Sequence, residues 1–200
     1  MGTPFQRFSN HSQPEPHLAD YTSTALPLFL ESLERVQGCH VLDVGSVCGD
    51  NIRFFAQRVK RLYICDMFFH LGRVPRGDPP PGQIWTQMDF PPRTFHGILL
   101  WNLIDHLDDG KVGRVVEVCH DMMRPGGMVF VSLMGKMAEP VMHSFVIRPD
   151  YRLHIRPDTA VHLPLHVRNN REAIALLAPF RLTKSFLYQN GVRELLLKRD

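Results

Sequence analysis

A chain of 200 residues is long enough to bury one hydrophobic core, and its length alone gives no reason to divide it. With 44% hydrophobic and 22% charged residues it has the composition of an ordinary globular domain. The formal net charge is only +3 and the basic residues are scattered. This distribution argues against nucleic acid as the main partner, because phosphate binding usually needs a basic stripe.

The cysteines and the apolar runs indicate in which part of the cell the protein is located. Cys39, Cys48, Cys65 and Cys119 form no Cys-x-x-Cys pair, so we expect free thiols and no zinc site. The first seventeen residues contain no apolar segment of the kind found in signal peptides. No apolar run approaches the roughly 20 residues that cross a bilayer. We therefore expect a cytoplasmic protein that does not enter a membrane.

Hydrophobic spacing predicts the elements in chain order. Residues 1–17 are polar and rich in Pro, Ser and Asn, which is typical of a flexible arm. Residues 18–36 have helical spacing, and Pro27 within them indicates two short helices or one kinked helix. Further helices are predicted at 51–59, 108–123 and 170–177. Strands are predicted at 41–44, 61–66, 84–89, 97–102 and 128–133.

The last third of the chain has a different pattern. Residues 135–167 are rich in His, Pro and Arg, and we expect an irregular segment with one strand-like piece at 151–155. Residues 180–188 and 192–198 flank the turn Gln189-Asn190-Gly191, which predicts a β-hairpin.

This order of elements predicts the fold class. Buried strands that alternate with amphipathic helices indicate βαβ units and parallel pairing. We therefore expect an α/β fold of Rossmann-like, doubly wound type, with a mainly parallel seven-stranded sheet that ends in a C-terminal antiparallel hairpin. Residues 18–200 form its single domain.

Two acidic strand ends are the first candidate binding features. VLDVGSVCG at 41–49 places Asp43 at the end of a strand, followed by Gly45 and Gly49 in the turn to a helix. Glycine lets the backbone approach a ligand where a Cβ would intrude. Asp66 ends the next strand, where a carboxylate can accept both hydroxyls of a ribose. Together these features favour a nucleoside site.

These segments resemble the class I S-adenosylmethionine-dependent methyltransferase family over nearly the whole chain. VLDVGSVCG is similar to its glycine-rich first motif and YICDMF to its ribose-binding strand end. QMDF is similar to the segment that meets adenine, and FHGILLWNLIDHLDD to the fourth strand with its substrate-facing loop. MMRPGGMVFVSL and the terminal NGVRELLLKR are similar to the fifth strand and the antiparallel edge.

The resemblance implies S-adenosylmethionine as the cofactor and assigns roles to particular residues. Asp43, Gly45 and Ser46 would lie against its methionyl part, with Gly49 closing the motif. Asp66 would bind the ribose, while Met67 and Phe68 pack on the adenine ring. Asp89 would accept a bond from the adenine amino group, beside Phe90. Trp101, Asn102 and Leu103 would lie under the sulfonium and open toward the acceptor.

The turn departs from the family pattern at one position. The family has a glycine in the middle of the motif, where this chain has Val47. A valine does not readily adopt positive φ and adds a branched side chain. Two alternatives therefore stay open: a catalytically inactive methyltransferase-like binding or partner protein, and a nicotinamide-dependent oxidoreductase. The oxidoreductase would need the motif Gly-x-Gly-x-x-Gly, whereas this turn has only Gly45 and Gly49. The final hairpin is also foreign to an oxidoreductase of that type.

The acceptor is predicted only as a class. Residues 134–169 occupy the place where the family builds its acceptor pocket or lid, and their arginines and aromatics could hold an anionic or planar molecule. No Asn-Pro-Pro-Tyr-type motif for amino groups of nucleic acids or proteins is present, so we expect a small-molecule acceptor. Methyl transfer does not require a particular catalytic residue. If a base assists, the candidates are Asp105, His106, His143 and His154. The sequence does not indicate an oligomeric state.

Overall fold

The structure is a computed structural model that describes residues 20–72, 88–136 and 138–200. Its strands are β1 (Tyr21–Thr22), β2 (His40–Asp43), β3 (Arg61–Ile64), β4 (Phe95–Trp101), β5 (Met123–Leu133), β6 (Val141–Ile147), β7 (Arg152–His162), β8 (Arg181–Leu187) and β9 (Arg193–Lys198). Its helices are α1 (Ala25–Glu34), α2 (Gly49–Ala56), α3 (Met67–Gly72), α4 (Asp109–Met122) and α5 (Asn170–Leu176). Short 3₁₀ turns cover Leu103–His106 and Pro149–Tyr151.

The main sheet has the strand order β3-β2-β4-β5-β9-β8. β3, β2, β4 and β5 pair in parallel, whereas β9 runs antiparallel to β5 and β8 antiparallel to β9. The central strands carry continuous apolar runs because helices cover both faces of the sheet. Buried residues accordingly form two clusters, one around Phe95 and Val129 and the other around Phe29 and Phe130.

The predicted α/β fold is confirmed, and the seven-stranded sheet stays a prediction. The described part of the chain contributes six strands to the main sheet. Of the strand predicted at 84–89, only residues 88 and 89 are described, and neither lies in a strand. The arm predicted at 1–17 and the proline-rich loop after Gly72 lie outside the described residues.

Helix α1 is shorter than its spacing predicted. It begins at Ala25, so Pro27 lies in the first turn, where a missing N–H breaks no intrahelical hydrogen bond. The residues before it form β1, which pairs with β7. The predicted kink or division at Pro27 is therefore wrong.

Residues 135–167 are far more regular than the sequence indicated. β6 and β7 pair in an antiparallel hairpin, and β1 joins them in a second sheet of three strands. Val141, His143, Phe145 and Ile147 are buried on β6, while Met142 and Ser144 between them are partly exposed. A histidine on the buried face hid this alternation from a reading of hydrophobicity alone.

One asparagine fixes the β6–β7 hairpin to the first helix of the main sheet. The Asn51 side chain on α2 donates to the carbonyl oxygen of Phe145 at 2.7 Å and accepts from the Ile147 N–H at 2.8 Å. The amide thus pairs with the β6 backbone as a neighbouring strand would. Because Asn51 is only 3% exposed, no water competes for these bonds.

All four cysteines are free thiols, and Cys39, Cys65 and Cys119 are buried. Among the described residues, no helix is both long and apolar enough to cross a membrane. In the same residues, His, Cys, Asp and Glu side chains form no group of three that could hold a metal ion.

Replacing Asn51 tests how the hairpin is held. Asn51→Ala leaves a backbone carbonyl and a backbone N–H of β6 buried without partners, so the free energy of unfolding should fall by about 3 kcal/mol. Urea titration followed by circular dichroism measures this loss. Asn170→Ala on the exposed first turn of α5 is the matched control, with a change within about 0.5 kcal/mol. Equal small changes in both variants would contradict the docking role of Asn51.

Candidate functional site

Parallel pairing brings three predicted site residues to one edge of the main sheet. Asp43 ends β2, Trp101 ends β4, and Asp66 follows β3. The chain passes from β2 to β3 on one side and to β4 on the other. Ligands of open α/β sheets bind at such a switch point, outside the carboxyl ends of the strands.

Asp43 is a buried carboxylate that holds two other parts of this edge. Its Oδ1 accepts from the Gly45 N–H at 3.0 Å and from the Trp101 indole Nε1–H at 2.8 Å. Burial raises the pKa of Asp43 to about 6, although the two hydrogen bonds oppose this shift and the nearby Asp66 charge adds to it. The carboxylate therefore fixes the turn after β2 relative to the end of β4.

The indole of Trp101 lies directly against Gly45. A Cβ on Gly45 would overlap the indole Cδ1 and lie 2.8 Å from Nε1. Trp101 itself has a φ of 46°, which is rare for a residue with a side chain. The described contacts thus explain the glycine at position 45 by the packing of Trp101, without a ligand.

Asp66 ties the same turn to helix α3. Its Oδ2 accepts from the Val47 N–H at 3.1 Å and its Oδ1 from the Phe69 N–H at 2.8 Å. Each oxygen retains acceptor capacity, because an ionised carboxylate has about four lone-pair positions. Val47 is not among the residues with positive φ, and its side chain is 58% exposed. The valine therefore fits the turn without backbone strain.

A cleft of about 590 Å³ opens beside this turn. One wall is formed by residues 46–50 and Asp66, and the other by the β6–β7 hairpin, including Ser144, Arg156 and Thr159. A Cβ on Gly49 would meet no atom within 4 Å, so this glycine leaves open space in the cleft. Gly49 begins α2, whose N-cap residue Cys48 makes no side-chain capping bond. The first N–H groups of α2 are thus available to an acceptor.

Comparison with known proteins gives a result only at the level of structure. No family model and no curated protein matches the sequence. Among solved structures, an S-adenosylmethionine-dependent methyltransferase from Mesorhizobium loti superposes with a TM-score of 0.54 at 14% identity, over 88% of this chain and 98% of the other. The chain has the fold of S-adenosylmethionine-dependent methyltransferases.

Two further solved structures superpose on this chain with TM-scores above 0.5. DesVI from Streptomyces venezuelae has a TM-score of 0.56 at 16% identity, over 88% of this chain and 89% of the other. The 1,6-didemethyltoxoflavin-N1-methyltransferase of Burkholderia thailandensis, solved with 1,6-didemethyltoxoflavin and S-adenosylhomocysteine, has a TM-score of 0.51 at 18% identity, over 88% and 79%. Likeness at these identities establishes the fold, so the site residues must be judged by their own geometry.

The two residues expected to pack on adenine lie in the core of this methyltransferase fold. Met67 and Phe68 are at most 1% exposed, and the Phe68 ring packs edge-on against His106. The exposed side chain of α3 is Phe69, at 50%. Sequence analysis did not single out Phe69, because the helix that turns it outward was not predicted.

Asp89 and Phe90 lie away from the cleft wall. Asp89 is exposed, and the Phe90 ring packs edge-on against Tyr63 and Phe95, with ring centroids 5.6 Å and 5.2 Å away. Neither residue lines the cleft beside Asp66. Their predicted contacts with the adenine ring therefore stay a prediction.

Asn102 and Leu103 are fully buried, and Asn102 makes a polar contact with His106. Nδ1 of His106 lies 2.8 Å from the Pro164 carbonyl oxygen, which can only accept, so Nδ1 carries the proton. Burial lowers the pKa of His106 to about 4, and the neutral ring accepts from Asn102 Nδ2 at 3.1 Å. Oδ1 of Asn102 is left without a partner in the described structure.

None of the candidate bases lines the cleft. Asp105 is buried and accepts from the Met134 N–H at 2.6 Å, and burial raises its pKa to about 7. His143 is buried on the inner face of β6, and burial lowers its pKa. His154 pairs with Asp20 at 2.8 Å. The structure therefore assigns these groups to packing and to ion pairs.

Among the arginines of residues 134–169, some make structural contacts and one lines the cleft. Arg168 is 6% exposed and donates to the carbonyl oxygens of Ile104 and Leu107, which gives it a structural role. Arg148 pairs with Asp50 at 3.3 Å. Arg156 is exposed and lines the cleft, so it is the arginine best placed to meet a ligand.

The raised pKa of Asp43 predicts a specific pH dependence. Because the folded chain holds the Asp43 proton more tightly than the unfolded chain, folding is weakened as the pH rises from about 4 to about 6. Asp43→Asn removes the buried charge, so it should be stabilising by about 3 kcal/mol at pH 7.5 and by close to zero at pH 4. Urea titrations of both proteins across this range measure the difference.

Asp121→Asn, on the exposed end of α4, is the control and should show no such trend. A stability difference for Asp43→Asn that does not change between pH 4 and pH 7.5 would contradict the buried, costly charge.

Proposed function

We propose that this chain binds S-adenosylmethionine in the cleft beside Asp66 and transfers its methyl group to a small-molecule acceptor. The observation that carries the proposal is the open space at Gly49 next to a strand-end carboxylate with free acceptor capacity. Both lie after the carboxyl ends of parallel strands, β2 and β3, where ligands of open α/β sheets bind, and this supports the proposal.

The donor and acceptor groups of the cleft suit the parts of this cofactor. Asp66 can accept the two ribose hydroxyls, as expected from the sequence, and its carboxylate is held in place by the N–H groups of Val47 and Phe69. The uncapped N-terminus of α2 can receive the carboxylate of the methionyl part, because helix N-termini attract anions. The half-exposed ring of Phe69 can cover the adenine base.

The remaining predicted contacts divide into supporting and direct ones. The side chains of Asp43, Met67, Phe68, Asn102 and Leu103 are buried and would position the turn, α3 and the end of β4, while the Gly45 backbone lies beneath the Trp101 indole. Ser46 and Gly49 line the cleft and would touch the cofactor. Asp89 and Phe90 do not line the cleft, and their contact with adenine stays a prediction from the sequence.

The bound cofactor would supply an electrophilic methyl group on a sulfonium. The chain needs to align the acceptor with that methyl group and to exclude water, which can account for several kcal/mol of barrier reduction. The β6–β7 hairpin forms the opposite wall of the cleft, so we assign the acceptor pocket to it within residues 134–169. Arg156 there would favour an anionic or polar acceptor.

Two observations favour this reading over the alternatives. The inactive-protein alternative relied on Val47, whose backbone adopts no positive φ and whose side chain points outward. The oxidoreductase alternative does not account for the antiparallel strands β9 and β8 at the β5 edge. A small acceptor is supported by the Burkholderia thailandensis neighbour, whose bound 1,6-didemethyltoxoflavin is a small molecule.

Asp66 provides the sharpest test of the cofactor site. Asp66→Ala should weaken S-adenosylhomocysteine binding by at least about a hundredfold, since it removes a charge-assisted pair of ribose contacts. Equilibrium dialysis with labelled ligand measures the affinity. The variant should lose only about 1–2 kcal/mol of stability, because Asp66 is a partly exposed strand-end residue and not core.

Asp121→Ala is the control and should bind as the unmodified chain does. If Asp66→Ala is folded and keeps its affinity, the proposed ribose contact is wrong.

A further inference from the structure

Trp101 is held against Gly45 from three sides. Its Nε1–H donates to Asp43 at 2.8 Å, and its ring stacks on Phe145 of β6 with centroids 5.6 Å apart and planes 18° from parallel. Phe130 of β5 packs against its edge at 5.4 Å. The side chain is only 3% exposed, and Phe145 of the β6–β7 hairpin covers one face of its ring.

This packing divides the proposed cofactor site into a closed part and an open part. At Gly45 even a Cβ would overlap the indole, so a ligand atom cannot occupy that side of the Gly45 backbone while the indole is there. At Gly49 and Asp66 the cleft is open. In the proposed function, the ribose and the methionyl carboxylate bind at the open part, beside Asp66 and at the N-terminus of α2. The methionyl chain between them would lie along the Gly45 backbone, as the sequence resemblance implies, and this is the closed part.

We propose that Trp101 is a gate over the methionyl half of the site, so that the nucleoside half binds freely while the whole cofactor binds only after the indole leaves Gly45. This inference rests on the proposed function. The gate residue has a left-handed backbone, with φ of 46°, and moving to an ordinary conformation relieves that strain. The stack with Phe145 joins the gate to the hairpin that forms the acceptor wall.

A closed gate lowers the affinity for the full cofactor by the fraction of molecules that are open, because only those bind it. A ligand that does not reach Gly45 is not affected. The ratio of the affinities for S-adenosylhomocysteine and for adenosine therefore measures the gate. Trp101 would be the residue that determines this specificity.

Calorimetric titration with both ligands tests this ratio. In the unmodified chain, S-adenosylhomocysteine and adenosine should bind within about threefold of each other, since the extra methionyl contacts are offset by opening. Trp101→Ala should bind S-adenosylhomocysteine about tenfold or more tightly, with adenosine unchanged. Phe145→Ala, which removes the stack and leaves the indole, should shift the ratio in the same direction by less.

Phe180→Ala is the matched control, because Phe180 is a buried ring in the other core cluster. It should lower stability and leave the ratio unchanged, and circular dichroism confirms that each variant is folded. Unchanged or weaker S-adenosylhomocysteine binding by both Trp101→Ala and Phe145→Ala would overturn the gate.

Trp101 also reports its own position. The sequence has two tryptophans, so Trp85→Phe leaves Trp101 as the single tryptophan, whose emission can be excited apart from that of the tyrosines. S-adenosylhomocysteine should shift its emission to longer wavelength and make it accessible to iodide, while adenosine should do neither. Binding of S-adenosylhomocysteine without a change in emission overturns the gate and leaves the proposed function standing. If no variant binds either ligand, the proposed function fails and the gate fails with it.

Discussion

The geometry of this site depends on a carboxylate that is buried where β2 ends. Asp43 accepts from the turn that follows it and from the indole at the end of β4, so two strand ends and one loop share a single anchor. Burial makes this charge costly and raises the pKa of Asp43 to about 6. The buried charge lowers stability, but its hydrogen bonds fix the turn after β2, and this turn forms one wall of the cleft.

The second anchor is Asp66, which holds the opposite end of the same turn through the Val47 N–H. Asn51 then fastens the β6–β7 hairpin across the cleft. Asp43, Asp66 and Asn51 thus hold the two walls of the cleft, which are the turn at residues 46–50 and the β6–β7 hairpin. The end of β4 is also joined to the β6–β7 hairpin by the stack of Trp101 on Phe145.

Much of the sheet could be predicted because its strands are continuous apolar runs, and α4 because Asp108 caps it by accepting from the Lys111 N–H. The β6–β7 hairpin was not predicted, because His143 interrupts the apolar face of β6. The acids Asp43 and Asp66 were found from their strand ends. The packing of Trp101 against Gly45 and Phe145 was not predicted, because it follows from a backbone angle and a stack on a distant strand, neither of which leaves a local pattern.

The central claim is that the cleft is a site for an S-adenosyl cofactor. Calorimetric titration of the unmodified chain with S-adenosylmethionine and S-adenosylhomocysteine, with NADH as the control, tests it most directly. Saturable binding of both sulfur nucleosides, and none of NADH, is the result that the geometry of Asp66, Gly49 and α2 predicts. Absence of binding by a folded sample that is free of carried-over ligand would contradict it and favour a protein that no longer uses the cofactor.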